Sequence, residues 1–260
     1  MNLRRLIPLI ITATLFASCA NVYTPALYHQ DIAYMPKPAS FDSVKSATYV
    51  SGGVNGNYNQ NYVDMLISGQ FNLSRGYVFN NANLAYGVFG VVGDYENSQI
   101  QQGQPNYFND RFFGAVGGRF SANLFSNTGR SDVRFLGVEM AYSHEFGDYL
   151  TFRRSVENAP AYYVDPRSDL FTIGLTTEVL FHPIGNTGIQ HGIRGFLGYT
   201  FGFDDLESNN YYNYYNQTQN NGSKLFTSVF PKASYFIKFK KYFGTIEFGQ
   251  NIFLRFGLKF

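Results

Sequence analysis

The closing stretch of the chain, 251-NIFLRFGLKF-260, decides the fold. Its apolar residues fall at every second position and are Ile252, Leu254, Phe256, Leu258 and Phe260. The positions between them carry Asn251, Phe253, Arg255, Gly257 and Lys259. A period of two places these sets on opposite faces of a β-strand. The end of the chain is therefore predicted to be a strand with one wholly apolar face.

Long alternating segments of the same kind fill the preceding two hundred or so residues. We predict strands at 45–57, 61–74, 83–96, 109–125, 131–147, 168–182, 190–204, 224–239, 242–249 and 251–260. Strands of soluble proteins average about 5 to 6 residues, whereas a tilted membrane strand needs about 9 to 11. The prediction is an all-β fold, an antiparallel transmembrane β-barrel of ten strands, with eight remaining possible.

The composition suits such a fold. The chain has 27 Phe, 21 Tyr and 26 Gly but no Trp, and only 15% of its residues are charged. Aromatic residues favour strands, and glycine allows tight turns and close strand contacts. A single cysteine excludes an intrachain disulfide.

The N-terminus has the pattern of a signal peptide over residues 1–18. Arg4 and Arg5 precede an apolar run from Leu6 to Phe16, which is too short to cross a bilayer. The run 15-LFASC-19 resembles a bacterial lipobox, and the resemblance implies that Cys19 becomes the lipidated first residue. The alternative is an ordinary signal peptide cut near Ala20, with Cys19 discarded.

Residues 19–44 are predicted to be a lipidated extended arm that joins the anchor to a barrel at 45–260. Pro25, Pro36 and Pro38 interrupt this arm, and it has no steady period. Removal of residues 1–18 leaves 18 basic and 18 acidic residues, a net charge of about zero. The mature chain therefore lacks the basic surface that a nucleic-acid partner needs.

The connections predict an orientation. Those near 97–108, 148–167 and 205–223 are long and polar and fall at one end, whereas those near 126–130, 183–189 and 240–241 are short. Barrels of the outer membrane have long loops outside and short turns in the periplasm. Odd-numbered strands then run outward, and the tenth returns Phe260 to the periplasmic side.

The closing strand resembles the C-terminal signature of Gram-negative outer-membrane proteins, a terminal Phe preceded by apolar residues at alternate positions. That resemblance implies recognition by the barrel-assembly machinery during biogenesis. The arm followed by a barrel resembles uncharacterised outer-membrane lipoproteins with a small barrel. It implies an outer-membrane location, contact with outer-membrane lipid and a lipid-anchored N-terminus, without implying an activity.

Charged residues on the opposite phase are predicted to face the lumen, because a basic residue facing lipid at mid-depth costs about 2 to 4 kcal/mol. They are Asp64, Arg119, Glu139, Glu178, Arg194, Lys232, Lys238, Glu247 and Arg255. In so narrow a barrel we expect opposite charges to pair instead of lining an open pore. A small channel or passive pore is the alternative.

Aromatic residues near the strand ends predict interfacial girdles. They include Tyr77, Phe79, Tyr86, Tyr95, Tyr142, Tyr149, Tyr199, Tyr235 and Tyr242. The tyrosine- and asparagine-rich stretch 211–217 could bind a ligand, which the sequence does not identify, or could be a solvated loop.

No catalytic, metal-binding or cofactor-binding motif is apparent, since His29, His144, His182 and His191 have no metal-ligand spacing. The leading hypothesis is a structural or interaction scaffold that displays its polar loops, and not an enzyme. Two further hypotheses are a lipid-modifying enzyme that uses His144 and a soluble periplasmic lipoprotein of β-sandwich type.

Overall fold

The computed structural model describes residues 21–58, 65–96, 110–157, 162–182, 188–201 and 229–260. The strands are β1 (Asn21–Tyr23), β2 (Ser46–Tyr58), β3 (Met65–Val78), β4 (Ala82–Glu96), β5 (Asp110–Asn127), β6 (Ser131–Phe146), β7 (Tyr162–Val164), β8 (Asp169–Phe181), β9 (Ile189–Thr200), β10 (Val229–Phe239), β11 (Tyr242–Phe248) and β12 (Asn251–Lys259). One helix, α1 (Asp148–Ser155), lies between β6 and β7.

Ten of these strands form a closed antiparallel barrel, as the sequence predicts. From β2 to β6, and again from β8 to β12, each strand pairs with the next one along the chain. The pairing of β6 with β8 joins the two runs, and the pairing of β12 with β2 closes the barrel. Phe260 completes the closure, because its N–H donates to Thr48 O at 2.8 Å and its carbonyl accepts from Thr48 N at 3.1 Å. The count is therefore ten and not eight.

The barrel has apolar side chains on its outer face and polar side chains inside, which is the reverse of the arrangement in a soluble protein. Outward side chains are large and apolar, as in Phe71 (58% exposed) and Phe256 (75% exposed). Inward side chains are polar or charged, as in Glu139 and Arg194, each 1% exposed. This follows from the period-two alternation, which gives every strand one face of each kind.

The two ends of the barrel differ. The long-link end carries the connections 97–109, 147–168 and 201–228, and the short-turn end carries 79–81, 128–130 and 240–241. In the part of the chain that is described, no helix has the length and apolar character needed to span a membrane.

The connection between β6 and β8 is not the polar loop that we predicted. It contains α1, whose Tyr149, Leu150 and Phe152 are buried. It also contains β7, which pairs in parallel with β1. Of the aromatic side chains of α1, Tyr149 packs against Tyr95 and Phe152 packs against Tyr23 at the barrel mouth.

Candidate functional site: the plugged lumen

The N-terminal segment runs through the barrel. We call residues 23–42 the plug, of which 23–39 are buried. The plug begins beside α1 at the long-link end and continues into β2 at the short-turn end, where Val78 N donates to Lys45 O at 2.8 Å. The sequence predicted an extended arm here but not its location inside the lumen.

Aromatic packing holds the plug at the long-link end. Tyr23 contacts Phe152 edge-on, with ring centroids 5.1 Å apart. Tyr95 of β4 stacks on Tyr149 of α1 at 4.1 Å, and the Tyr149 hydroxyl donates to Thr24 O at 2.9 Å. Helix, wall and plug therefore meet in one apolar cluster that closes this mouth of the barrel.

A buried ion pair lies directly below this cluster. Arg153 of α1 donates to Glu145 Oε1 at 2.6 Å, and Ala26 N of the plug donates to Glu145 Oε2, also at 2.6 Å. Both oxygens of one wall carboxylate are thus engaged, one by the helix and one by the plug. Glu145 therefore fixes the position of the plug relative to α1.

In the middle of the lumen, wall side chains bind the backbone of the plug. Arg119 Nε donates to Asp31 O at 2.5 Å, and Lys232 Nζ donates to Ile32 O at 3.0 Å. The Asp31 side chain accepts from Thr172 Oγ1 at 2.7 Å. A buried chain needs partners for its backbone groups, and here cations of the wall supply them in place of a neighbouring strand.

Tyr34 is held by the wall through its backbone, its hydroxyl and its ring. Its N–H donates to both oxygens of Glu247 at 3.1 and 3.0 Å, and its carbonyl accepts from Arg255. Its hydroxyl donates to Glu178 Oε1 at 2.9 Å, and its ring stacks on Phe236 at 4.8 Å. Backbone, hydroxyl and ring are therefore all held, by contacts on different strands.

Three basic residues hold the plug near the short-turn end. Lys37 Nζ donates to Ser121 Oγ at 2.7 Å. Asp42 accepts from Lys238 at 2.8 Å and from Lys259 at 3.0 Å. Burial alone would raise the pKa of Asp42, but the hydrogen bond and charge of Lys238, followed by hydrogen bonds from Gln190 and Lys259, lower it to about 2. Asp42 therefore stays ionised at neutral pH.

The predicted lumen residues within the described ranges line the barrel interior. They are Arg119, Glu139, Glu178, Arg194, Lys232, Lys238, Glu247 and Arg255. Opposite charges pair: Arg134 lies 2.6 Å from Glu178, Arg194 contacts Glu139, and Arg255 lies 3.4 Å from Glu247. Asp64 and Cys19 fall outside the described residues, as does the stretch 211–217.

The paired charges of the wall line the lumen, but they do not fill its centre. The plug occupies the centre, and a void between it and the wall, beside Tyr28 and Leu66, has a volume of about 10 Å³. That is room for about one water molecule. A ten-stranded barrel is wider than the eight-stranded size whose interior side chains alone can fill, and the extended chain takes up the difference.

Arg134 is a lumen residue that the sequence analysis missed. Strict alternation from Glu139 would place it on the outer face. The pairing of β6 with β8 shifts register between Arg134 and Gly137, so Phe135 and Leu136 both face outward. A bulge of this kind reverses the phase of the strand. Two adjacent large apolar residues beside an arginine are the signal that could have revealed it.

The predicted aromatic girdles are only partly on the outer wall. Tyr86, Tyr142 and Tyr235 are exposed there, but Tyr95 and Tyr149 are buried in the mouth of the barrel. Tyr95 follows the inward phase of β4, and α1 turns Tyr149 toward the lumen. These two residues close the barrel instead of facing lipid.

An exposed His–Asp pair lies on the outer wall. His144 Nδ1 is 3.0 Å from Asp169 Oδ1, and the Tyr142 hydroxyl donates to the same oxygen at 2.5 Å. Ser143 is buried on the opposite face. Within the described ranges no hydroxyl bonds to the second ring nitrogen of His144, and no group of three His, Cys, Asp or Glu residues could hold a metal ion.

Comparisons with known proteins give no family. No family model and no curated protein matches the chain. Solved structures with similar folds include an outer membrane channel from Pseudomonas putida F1 (10% identity, 87% of this chain and 100% of that chain, TM-score 0.41). The transport unit of the autotransporter AIDA-I from Escherichia coli is another (7% identity, 90% of this chain and 95% of that chain, TM-score 0.41).

A third similar structure is the translocator domain of autotransporter NalP from Neisseria meningitidis (8% identity, 85% of this chain and 90% of that chain, TM-score 0.31). Scores of this size carry no argument about function. The function of this chain is therefore inferred from its own geometry.

Proposed function

We propose that this protein is an outer-membrane β-barrel that acts as a closed scaffold, holding its long-link end at the cell surface without catalysing a reaction. The filled lumen is the observation that carries the proposal. The plug occupies the centre of the lumen, and its backbone is bound by Arg119, Lys232 and Glu247 of the wall. The long-link end is then the part of the barrel available to partners.

The outer wall supports the membrane location. Its exposed side chains are large and apolar around the barrel, including Val54, Phe71, Val116, Ile193 and Phe256. A soluble protein rarely exposes an apolar surface of that extent. Outer-membrane lipid is the partner that this surface fits, and the C-terminal alternation is the proposed signal for the barrel-assembly machinery.

The direction of the plug supports a location of the N-terminus at the cell surface. Asn21 lies at the long-link end, and two peptide units, or about 8 Å at most, separate it from Cys19. If long connections face outward, a lipid on Cys19 sits in the outer leaflet. We propose that the anchor is surface-facing.

An epitope tag inserted between Ala20 and Asn21 is expected to bind antibody on intact cells. A tag at Gly129, in an exposed turn of the short-turn end, is expected to bind only after permeabilisation. Fractionation should place both proteins in the outer membrane. Recovery in the soluble periplasmic fraction, or the reverse pattern of labelling, would contradict the proposal.

A gated channel is the second candidate. The wall behind the plug is lined with charge, and polar contacts fix the plug along most of its length. A signal that displaced the plug would expose a charged, water-accessible path. Single-channel recording of the full chain tests this candidate. Repeated opening and closing steps would favour the gated channel, whereas a full chain that stays silent would favour the closed scaffold.

A further inference from the structure

A groove on the outer wall is lined almost entirely by apolar groups. Its volume is about 610 Å³, and it crosses β3, β4, β5 and β6 to reach β8. Its sides include Leu73, Val88, Phe120, Tyr142 and Phe171. Gly118 forms its floor. It is paired with Val88 on one side and with Tyr142 on the other, and it has no side chain to fill the space between theirs.

One end of the groove carries a cation. Arg75 points outward, and it is the one Lys or Arg that does so from the described barrel strands. In that part of the chain no carboxylate lies within ion-pair distance of it, and its guanidinium lies 5.4 Å from the ring centroid of Tyr77. The hydroxyls of Tyr77 and Tyr86 are 3.4 Å apart beside it.

The groove runs from the membrane interface at the short-turn end across the middle of the barrel wall. Arg75 lies near Val78, where β3 ends at the short-turn end, and Gly118 lies near the middle of β5. Phe171 lies near Asp169, where β8 begins at the long-link end. An outward arginine costs about 2 to 4 kcal/mol at the bilayer midplane but about 0 to 1 near the interface. Arg75 therefore lies at the depth of lipid headgroups, and the apolar part lies at the depth of acyl chains.

We propose that this groove binds one phospholipid of the periplasmic leaflet. The phosphate is held by Arg75, with the Tyr77 and Tyr86 hydroxyls as further donors, and an acyl chain lies over Gly118. A guanidinium matches a phosphate with paired hydrogen bonds, and the anion supplies the counter-charge that the described residues do not. This site rests on the membrane location proposed above.

Native mass spectrometry of the full chain in detergent with phosphatidylglycerol tests the site. The wild type should retain one lipid, and Arg75→Gln should retain it about tenfold more weakly. Gly118→Leu should abolish retention by filling the floor, where an added Cβ meets only Gly87 O at 3.7 Å. Diacylglycerol with the same chains, which lacks the phosphate, should not be retained.

Gly90→Leu is the matched control. Gly90 faces outward on β4 beyond the groove, and an added Cβ there meets no atom within 4 Å. It should retain lipid as the wild type does. Equal retention by Gly118→Leu, or equal loss in Gly90→Leu, would overturn the lipid site. Absence of heat-dependent gel mobility in the wild type would instead overturn the membrane barrel on which the site depends.

Discussion

A chain that begins at Ser43, and so lacks the plug, should conduct ions across a planar bilayer, whereas the chain that begins at Asn21 should not. The plug fills the centre of a barrel whose wall is lined by Arg119, Arg194 and Glu247. Its removal leaves a water-filled lumen with fixed charges of both signs. Single-channel recording of the two refolded proteins measures the difference.

Heat-dependent gel mobility provides the control for folding, because only a folded barrel changes its gel mobility on heating. A shortened chain that passes this control is a closed barrel, and its current can be compared with that of the full chain. Adding a synthetic peptide of residues 21–42 should reduce the current of the shortened barrel. Steady conductance by the full chain would contradict the closed scaffold and favour the channel. A folded, shortened barrel that stays silent would show that the plug is not what closes the lumen.

Glu247→Ala should lower the free energy of unfolding by about 3 to 5 kcal/mol. Glu247 accepts two hydrogen bonds from Tyr34 N, and it lies 3.6 Å from Arg194 and 3.4 Å from Arg255. Its loss leaves two buried guanidiniums without this partner, which is the costly way to break a buried ion pair. Urea unfolding in detergent, followed by gel mobility, measures the change.

Glu96→Ala is the matched control for Glu247→Ala. Glu96 is an exposed glutamate at the end of β4, and its removal should change the free energy of unfolding by less than about 0.5 kcal/mol. Glu247→Gln should lower the free energy of unfolding by an intermediate amount, because glutamine keeps an acceptor for Tyr34 N but loses the charge. Similar losses in the two alanine variants would show that Glu247 does not hold the plug.

Strands could be predicted because each carries its own pattern. The alternation of Phe71 and Leu73 with polar residues, or the five apolar positions of the closing strand, depends only on neighbours along the chain. The confirmed ten-strand barrel follows from that local information. Predicted bounds differ by a few residues, as for β3, which ends at Val78 instead of residue 74.

The plug could not be predicted in the same way, because its partners are distant in sequence. Asp31 contacts Thr172, and Tyr34 contacts Glu247, across 141 and 213 residues. Prolines, mixed polar residues and the absence of a period are equally typical of a linker. The apolar and aromatic residues of the segment, Tyr28, Ile32 and Tyr34 among them, were the available sign that it would be buried.

Disulfide formation between the plug and the wall tests the central claim most directly. In a Cys19→Ser background, Asp31→Cys with Thr172→Cys should form a cross-link in the folded barrel, because these buried side chains are in hydrogen-bond contact at 2.7 Å. Asp31→Cys with Phe171→Cys should not, because Phe171 is adjacent but faces outward. Peptide mass spectrometry after oxidation should find the 31–172 link alone. Its absence from folded protein, or an equal yield of the 31–171 link, would contradict a plug inside the lumen.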